Sequence, residues 1–226
     1  MDKQLTRLFL IIILSISAYA QGVMPGLLEP QPPAGGQTIL DTDTFSGTAA
    51  TNLHTYNANW ENSPYSSACN DGKISTPNGG VAGFASCDDR TGFTWTNNQF
   101  AQATLGTISG SNTTMVCVRA AGSSGHLTGY CGGAETHISS TTYYIQRSDQ
   151  PGGFTTLQTY SQTPALGDIV NLQIKGSVLT LKVNGVALSP TATDTTYTTG
   201  NPGIDVDSGS GSTVNQLNTW SAGSVQ

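Results

Sequence analysis

From Ile39 onward the chain alternates. Val116 and Val118 are set against Met115, Cys117 and Arg119, and Val170, Leu172 and Ile174 against Asn171, Gln173 and Lys175. Leu179, Leu181 and Val183 alternate in the same way with Val178, Thr180 and Lys182. A side-chain period of two is that of a strand with one face on a core and the other toward water. The run 168–184 reads as a hairpin turning at Gly176-Ser177, and Asn184-Gly185 makes a second tight turn into Val186-Ala187-Leu188. The same reading predicts strands over 39–46, 73–77, 80–86, 100–107, 127–133, 141–147, 154–160, 202–207 and 215–222. No stretch of ten or more residues past the first twenty has a helical period. Many short strands joined by Gly, Asn and Asp turns predict an all-β, two-sheet antiparallel sandwich.

The pattern is different at the start. Lys3 and Arg7 precede an apolar run from Leu8 to Ile16, and Ala18-Tyr19-Ala20 supplies small residues around a cleavage point before Gln21. Residues 1–20 therefore read as a secretory signal peptide, and the apolar run is shorter than the roughly twenty residues needed to span a bilayer. Residues 21–38, with Pro25, Pro30, Pro32 and Pro33, read as a Pro-rich tail. Residues 39–226 form the predicted domain. The expectation is a secreted protein, extracellular or at the cell surface, with no membrane contact after cleavage. The tail is a spacer, or a device for self-assembly in which residues 23–28 dock on a neighbouring molecule.

Composition narrows the function. The 226 residues include 27 Gly, 10 Pro and 32 Thr, only 10 % are charged, and the net charge is −6. A helical bundle would carry far more Glu, Lys and Arg on its exposed faces. An acidic surface repels phosphates, so no nucleic-acid partner is expected. Four cysteines, Cys69, Cys87, Cys117 and Cys131, lie in the exported part and allow three pairings. Cys69–Cys87 and Cys117–Cys131 are favoured, because folding the hairpin at 121–125 brings residue 117 opposite about 130 or 131. The cysteines lack Cys-x-x-Cys spacing and the three histidines are scattered, which argues against zinc.

Three segments carry a resemblance. They are Gly167-Asp168-Ile169-Val170-Asn171-Leu172, Leu179-Thr180-Leu181-Lys182-Val183-Asn184-Gly185, and Thr199-Gly200-Asn201-Pro202-Gly203-Ile204. Asp43-Thr44-Phe45 fits an opening strand, residues 99–105 the strand before the hairpin, and Leu217-Asn218-Thr219-Trp220 a closing strand. In this order they resemble the concanavalin A-like lectin/glucanase domain of the laminin-G-like, bacterial secreted type. The resemblance implies a jelly roll over about 39–223. Its members include lectins, carbohydrate-binding modules, hydrolases, lyases and spacer domains, so fold alone does not assign an activity.

Hydrolases of the family carry Glu-x-Asp-x-x-Glu on one strand, which aims two carboxylates at the glycosidic bond. The three glutamates here, Glu29, Glu61 and Glu135, belong to no such pattern. Asp205 and Asp207 share a strand face but read as outward polar residues beside Ile204 and Val206, and Asp88-Asp89 reads as a solvated turn. Tyr143-Tyr144-Ile145-Gln146-Arg147 holds some lyase residue types without the family's Gln-Ile-His or Tyr-x-Lys-x-Tyr runs. His54, His126 and His137 read as surface histidines. No catalytic residue is assigned.

Binding needs only planar polar groups and an aromatic face. With Val116, Val118 and Ile145 inward, alternation sends Arg119, Tyr144 and Gln146 to the other face beside Cys117 and Cys131, with Glu135 at its edge. These four are the candidate ligand residues. Trp220 is expected in the core, and Trp60 and Trp95 in the core or at its rim. Calcium occurs in many relatives, but no loop here offers three oxygen ligands at a telling spacing. No cofactor or metal site is assigned. The expected partner is a polysaccharide or glycan bound without catalysis, with a polysaccharide-cleaving enzyme or an extracellular assembly protein as alternatives.

Overall fold

The structure is a computed structural model that describes residues 36–61, 72–74, 81–82, 86–107, 113–123, 126–137, 140–207 and 216–226. All of them belong to one compact unit, Pro33–Gln226. The predicted signal peptide and residues 21–35 of the tail lie outside the described residues, as does Cys69. No helix among the described residues is long and apolar enough to cross a membrane.

The strands, in order, are β1 (Gln37–Asp43), β2 (Lys73–Ile74), β3 (Val81–Ala82), β4 (Ser86–Asp89), β5 (Gln99–Thr107), β6 (Thr113–Ser123), β7 (His126–His137) and β8 (Ser140–Asp149). They continue with β9 (Phe154–Tyr160), β10 (Ile169–Lys175), β11 (Val178–Val183), β12 (Val186–Ala187), β13 (Ala192–Thr193), β14 (Asn201–Val206) and β15 (Gln216–Val225). One short helix, α1 (Leu53–Tyr56), interrupts them. A nine-stranded sheet runs β12-β11-β10-β5-β15-β3-β2, with β1 also on β15 and β13 on β11. A six-stranded sheet runs β4-β14-β6-β7-β8-β9. Both are antiparallel, and one core joins them, as the alternation predicts. Val116, Val118, Ile145 and Ile204 from the smaller sheet share a buried cluster with Ala101, Val170, Leu172, Ile174, Leu179 and Leu181 from the larger.

The hairpin at 168–184 forms in the predicted register, Val170 opposite Val183 and Lys175 opposite Val178. The predicted strand 80–86 is instead two short ones, and it does not cover Asp88 and Asp89. Those two residues lie on β4 and are buried, rather than in a solvated turn. The reason is pairing: β4 is bonded to β14, where Asp88 stands opposite Ile204 and Asp89 opposite Gly203. Asp89 then accepts hydrogen bonds from Gly122 N (3.3 Å) and Asn201 Nδ2 (2.5 Å).

A buried ion cluster closes one side of the core. Asp43 accepts hydrogen bonds from Phe45 N, Tyr56 Oη and Trp60 Nε1 at 2.8–3.0 Å. Arg90 donates from Nε to Asp41 at 2.6 Å, and its guanidinium lies over the Trp60 ring at 4.8 Å. Trp60 and Trp220 are both in the core, in edge contact at 4.9 Å, while Trp95 is half-buried. A buried cation is tolerable here because carboxylates and aromatic faces replace its lost water.

Candidate functional site

The outer face of the six-stranded sheet is a second packed layer. Met115, Cys117, Ala120, Leu127, Cys131 and Tyr144 form a buried cluster separate from the core. Cys117 stands opposite Cys131 across β6 and β7, and the two are joined by a disulfide. Closing a loop of 14 positions contributes about 3 kcal/mol in the chain-entropy model. The Cys69–Cys87 expectation lies outside the described residues. Cys131 is opposite Gln146 on β8, and Gly133 is opposite Met115 on one side and Tyr144 on the other. Met115 in turn faces Asp205 of β14. Asp205 and Tyr144 thus come into register across four adjacent strands, Gln146 lies two residues along β8 from Tyr144 in the next row, and Glu135 lies two residues along β7 from Gly133.

Three of the four predicted ligand residues therefore share one face. That face is closed rather than solvated, since Tyr144 is 3 % exposed and Gln146 5 %. Glu135 is half-buried at its margin, as is Asp207. Arg119 is not with them. The strict alternation that would turn it outward is broken by a bulge, in which Arg119 and Ala120 oppose Gly129 alone. Arg119 takes the left-handed region at φ 47°. A Cβ at position 129 would lie 2.7 Å from the Arg119 carbonyl oxygen, so the bulge requires glycine there. The Arg119 guanidinium donates instead to the carbonyls of Asn97 (2.9 Å), Tyr197 (2.9 Å) and Gly176 (2.7 Å). It clamps three loops at one end of the sandwich.

Asp205 is the residue that the sequence reading undervalued. It points outward as expected, yet it is 4 % exposed. Burial, and then the charge of Asp207, raise its pKa to about 7. Thr113 Oγ1 lies 3.4 Å from one carboxyl oxygen and Gln146 Nε2 3.5 Å from the other, too long to offset the lost hydration fully. Burial also pushes the Tyr144 phenol up, helped by the charges of Glu135 and Asp205 and by a hydrogen bond to Glu135. Near neutral pH the Asp205 carboxyl is therefore part-protonated, and with the Tyr144 phenol and the Gln146 amide it forms a buried polar row behind the half-buried Glu135 and Asp207. The legible signal was the Asp205/Asp207 spacing of two on a strand. Burial was the part that spacing could not show.

A second carboxyl pair sits near the same sheet. Burial, and then a hydrogen bond to and the charge of Asp89, raise the Glu61 pKa to about 8. Among the described residues, no group of three or more His, Cys, Asp or Glu could hold a metal ion.

No protein-family model matches the chain, and no curated protein matches it. Solved structures do. A putative β-glucanase from Mycobacterium abscessus superposes with a TM-score of 0.51 at 8 % identity, over 82 % of this chain and 100 % of that one. The GH43 BlXynB protein from Bacillus licheniformis gives a TM-score of 0.51 at 13 % identity, over 81 % of this chain and 39 % of that one. Carbohydrate binding module CBM66 from Bacillus subtilis gives 0.46 at 11 % identity, over 84 % and 94 %. The match thus spans well under half of the Bacillus licheniformis protein. What these identities share with this chain is the fold. The chain shares the two-sheet, concanavalin A-like sandwich fold of these structures.

Proposed function

We propose that this chain is an exported, non-catalytic carbohydrate-binding domain that acts at a cell surface or on extracellular polysaccharide. The observation that carries the reading is the grouping of Asp205, Tyr144 and Gln146 in two neighbouring register rows on one face, with Glu135 at the margin. A phenol, an amide and carboxyl groups held on rigid strands are the donors and acceptors that fix a sugar's hydroxyls. Contact begins at the half-buried Glu135 and Asp207, with Tyr144 and Gln146 behind them. The shared fold with a putative β-glucanase supports the reading by analogy. The disulfide is compatible with export, because such bonds persist in oxidising compartments.

One observation favours a polysaccharide-cleaving second reading. A buried carboxyl with a pKa about 7 is what a general acid needs at neutral pH. Incubating the protein with a panel of insoluble and gel-embedded polysaccharides separates the two. Depletion of protein without released reducing or unsaturated ends supports binding alone. Loss of that depletion in Gln146→Ala, with an unchanged melting curve, places the contact on this face. Release of ends overturns the non-catalytic reading.

A further inference from the structure

The outer face of the nine-stranded sheet has opposite chemistry. The strands β5, β10, β11 and β15 contain no Asp or Glu, although the whole chain has 14 acids against 8 bases. Asp41 and Asp43 of β1 turn inward to Arg90. The three arginines past residue 20 are spent internally. Arg90 pairs with those aspartates, Arg119 holds three carbonyls, and Arg147 pairs with Asp149 (2.8 Å) and Asp194 (2.7 Å). Lys73, Lys175 and Lys182 are left on this sheet, the last two on the neighbouring strands β10 and β11. Lys182 stands opposite Asn171, four positions along β10 from Lys175, so the two are roughly 14 Å apart at strand spacing.

Between them lies a set of amides with a polarity. Gln37 Nε2 donates to Asn171 Oδ1 (3.3 Å) and to Gln173 Oε1 (3.0 Å), and Asn171 Nδ2 donates to Gln102 Oε1 (3.1 Å). Gln37 reaches that far because β1 passes tightly over Gly223, where a Cβ would collide with the Thr38 carbonyl. The amide oxygens of Asn171, Gln173 and Gln102 are thereby used as acceptors. The amide hydrogens of Gln102 and Gln173 and the ammonium of Lys182 donate to no other described residue. Gln102, Gln173, Thr180 and Lys182 are all partly open to solvent. Lys175 is exposed and donates to the Gln226 main-chain oxygen at 2.9 Å.

We infer that this face, along β10 and β11, binds an acidic polysaccharide, one bearing carboxylate or sulfate groups. Acceptor-only anions match the free donors of Gln102, Gln173 and Lys182, and the acid-free strands remove the repulsion found elsewhere on the molecule. The separation of the two lysines selects an extended polymer over a single sugar. The inference rests on the carbohydrate-binding reading but uses a different surface and names a ligand class.

Retention on beads carrying polygalacturonate, dextran sulfate or plain dextran tests it with the full chain. Retention on either charged polymer and not on dextran is expected, with release at about 1 M salt, where the screening length is about 3 Å. Which charged polymer is held names the acid group. Lys182→Gln is expected to weaken retention about tenfold, the loss of one charge-assisted contact. Retention equal in Lys182→Gln and the unmodified protein overturns the inference. So does failure on both charged polymers with binding to any neutral polysaccharide, which leaves the broader reading intact. Failure on every polymer overturns both.

Discussion

The outer face of the six-stranded sheet and that of the nine-stranded sheet are both built from alternating antiparallel strands over one core, yet they end in opposite states. On the smaller sheet the outward positions of β6, β7 and β8 include Met115, Cys117, Cys131 and Tyr144, all buried, with the two cysteines joined by a disulfide and Asp205 shut in beside them. On the larger sheet the outward positions of β5, β10 and β11 include the buried Phe100 and Asn171, but Gln102, Gln173, Thr180 and Lys182 around them are partly open, and none is an acid. The difference teaches that an outward position in a sandwich is not by itself a solvated one. A polar group on the first face has its ionisation changed by its surroundings. On the second it keeps free hydrogens for a partner.

Three substitutions would break or sharpen that contrast. The largest effect is expected at Arg119, which belongs to neither face. Arg119→Met removes charge-assisted hydrogen bonds to Asn97, Tyr197 and Gly176, and should cost at least about 3 kcal/mol in urea unfolding. A loss below about 1 kcal/mol would return Arg119 to the ligand residues.

Asp205→Asn comes next. The folded protein keeps the Asp205 proton up to a pKa about 7, whereas an unfolded aspartate releases it near 3.9. The stability this group contributes is present below about pH 4 and is lost as pH rises through about 7. Its share of the slope is at most about 1.4 kcal/mol per pH unit, and Asp205→Asn should flatten the stability curve over that window. Glu61, raised to about 8, acts with the same sign. Asp194, lowered to about 2, acts oppositely and only in acid. An unchanged slope in Asp205→Asn would mean that the six-stranded face is wetter than its burial implies.

The smallest effect belongs to the open face. Lys182→Gln, the variant that should lose acidic polymers, is expected to shift stability by no more than about 0.5 kcal/mol. A larger loss would make Lys182 part of the fold's own support and erase the contrast.

Much of the fold was legible because period-two alternation is a local signal. Strand β9 matches its predicted range of 154–160, and the Cys117–Cys131 pair follows from hairpin register. The candidate face was legible in part. Ile145 inward correctly turned Tyr144 and Gln146 outward, because β8 keeps its alternation through them. Arg119 was misplaced, since a bulge answering to Gly129 on the partner strand leaves no mark in the periodicity of β6. Asp88 and Asp89 were misread because their pairing partner, β14, lies more than a hundred residues away.

The amino-acid sequence by itself determined the all-β class, most of the longer strands and the acid-free composition of the central strands of the larger sheet, all of which depend on neighbours within a few residues. Only the tertiary structure decided that Asp205 is buried beside Gln146, that Arg119 ties loops together, and that Gln37 reaches Asn171 and Gln173 across Gly223. Burial and hydrogen-bond polarity depend on which distant segments pack together, and those distances are set by closing the two sheets onto one core.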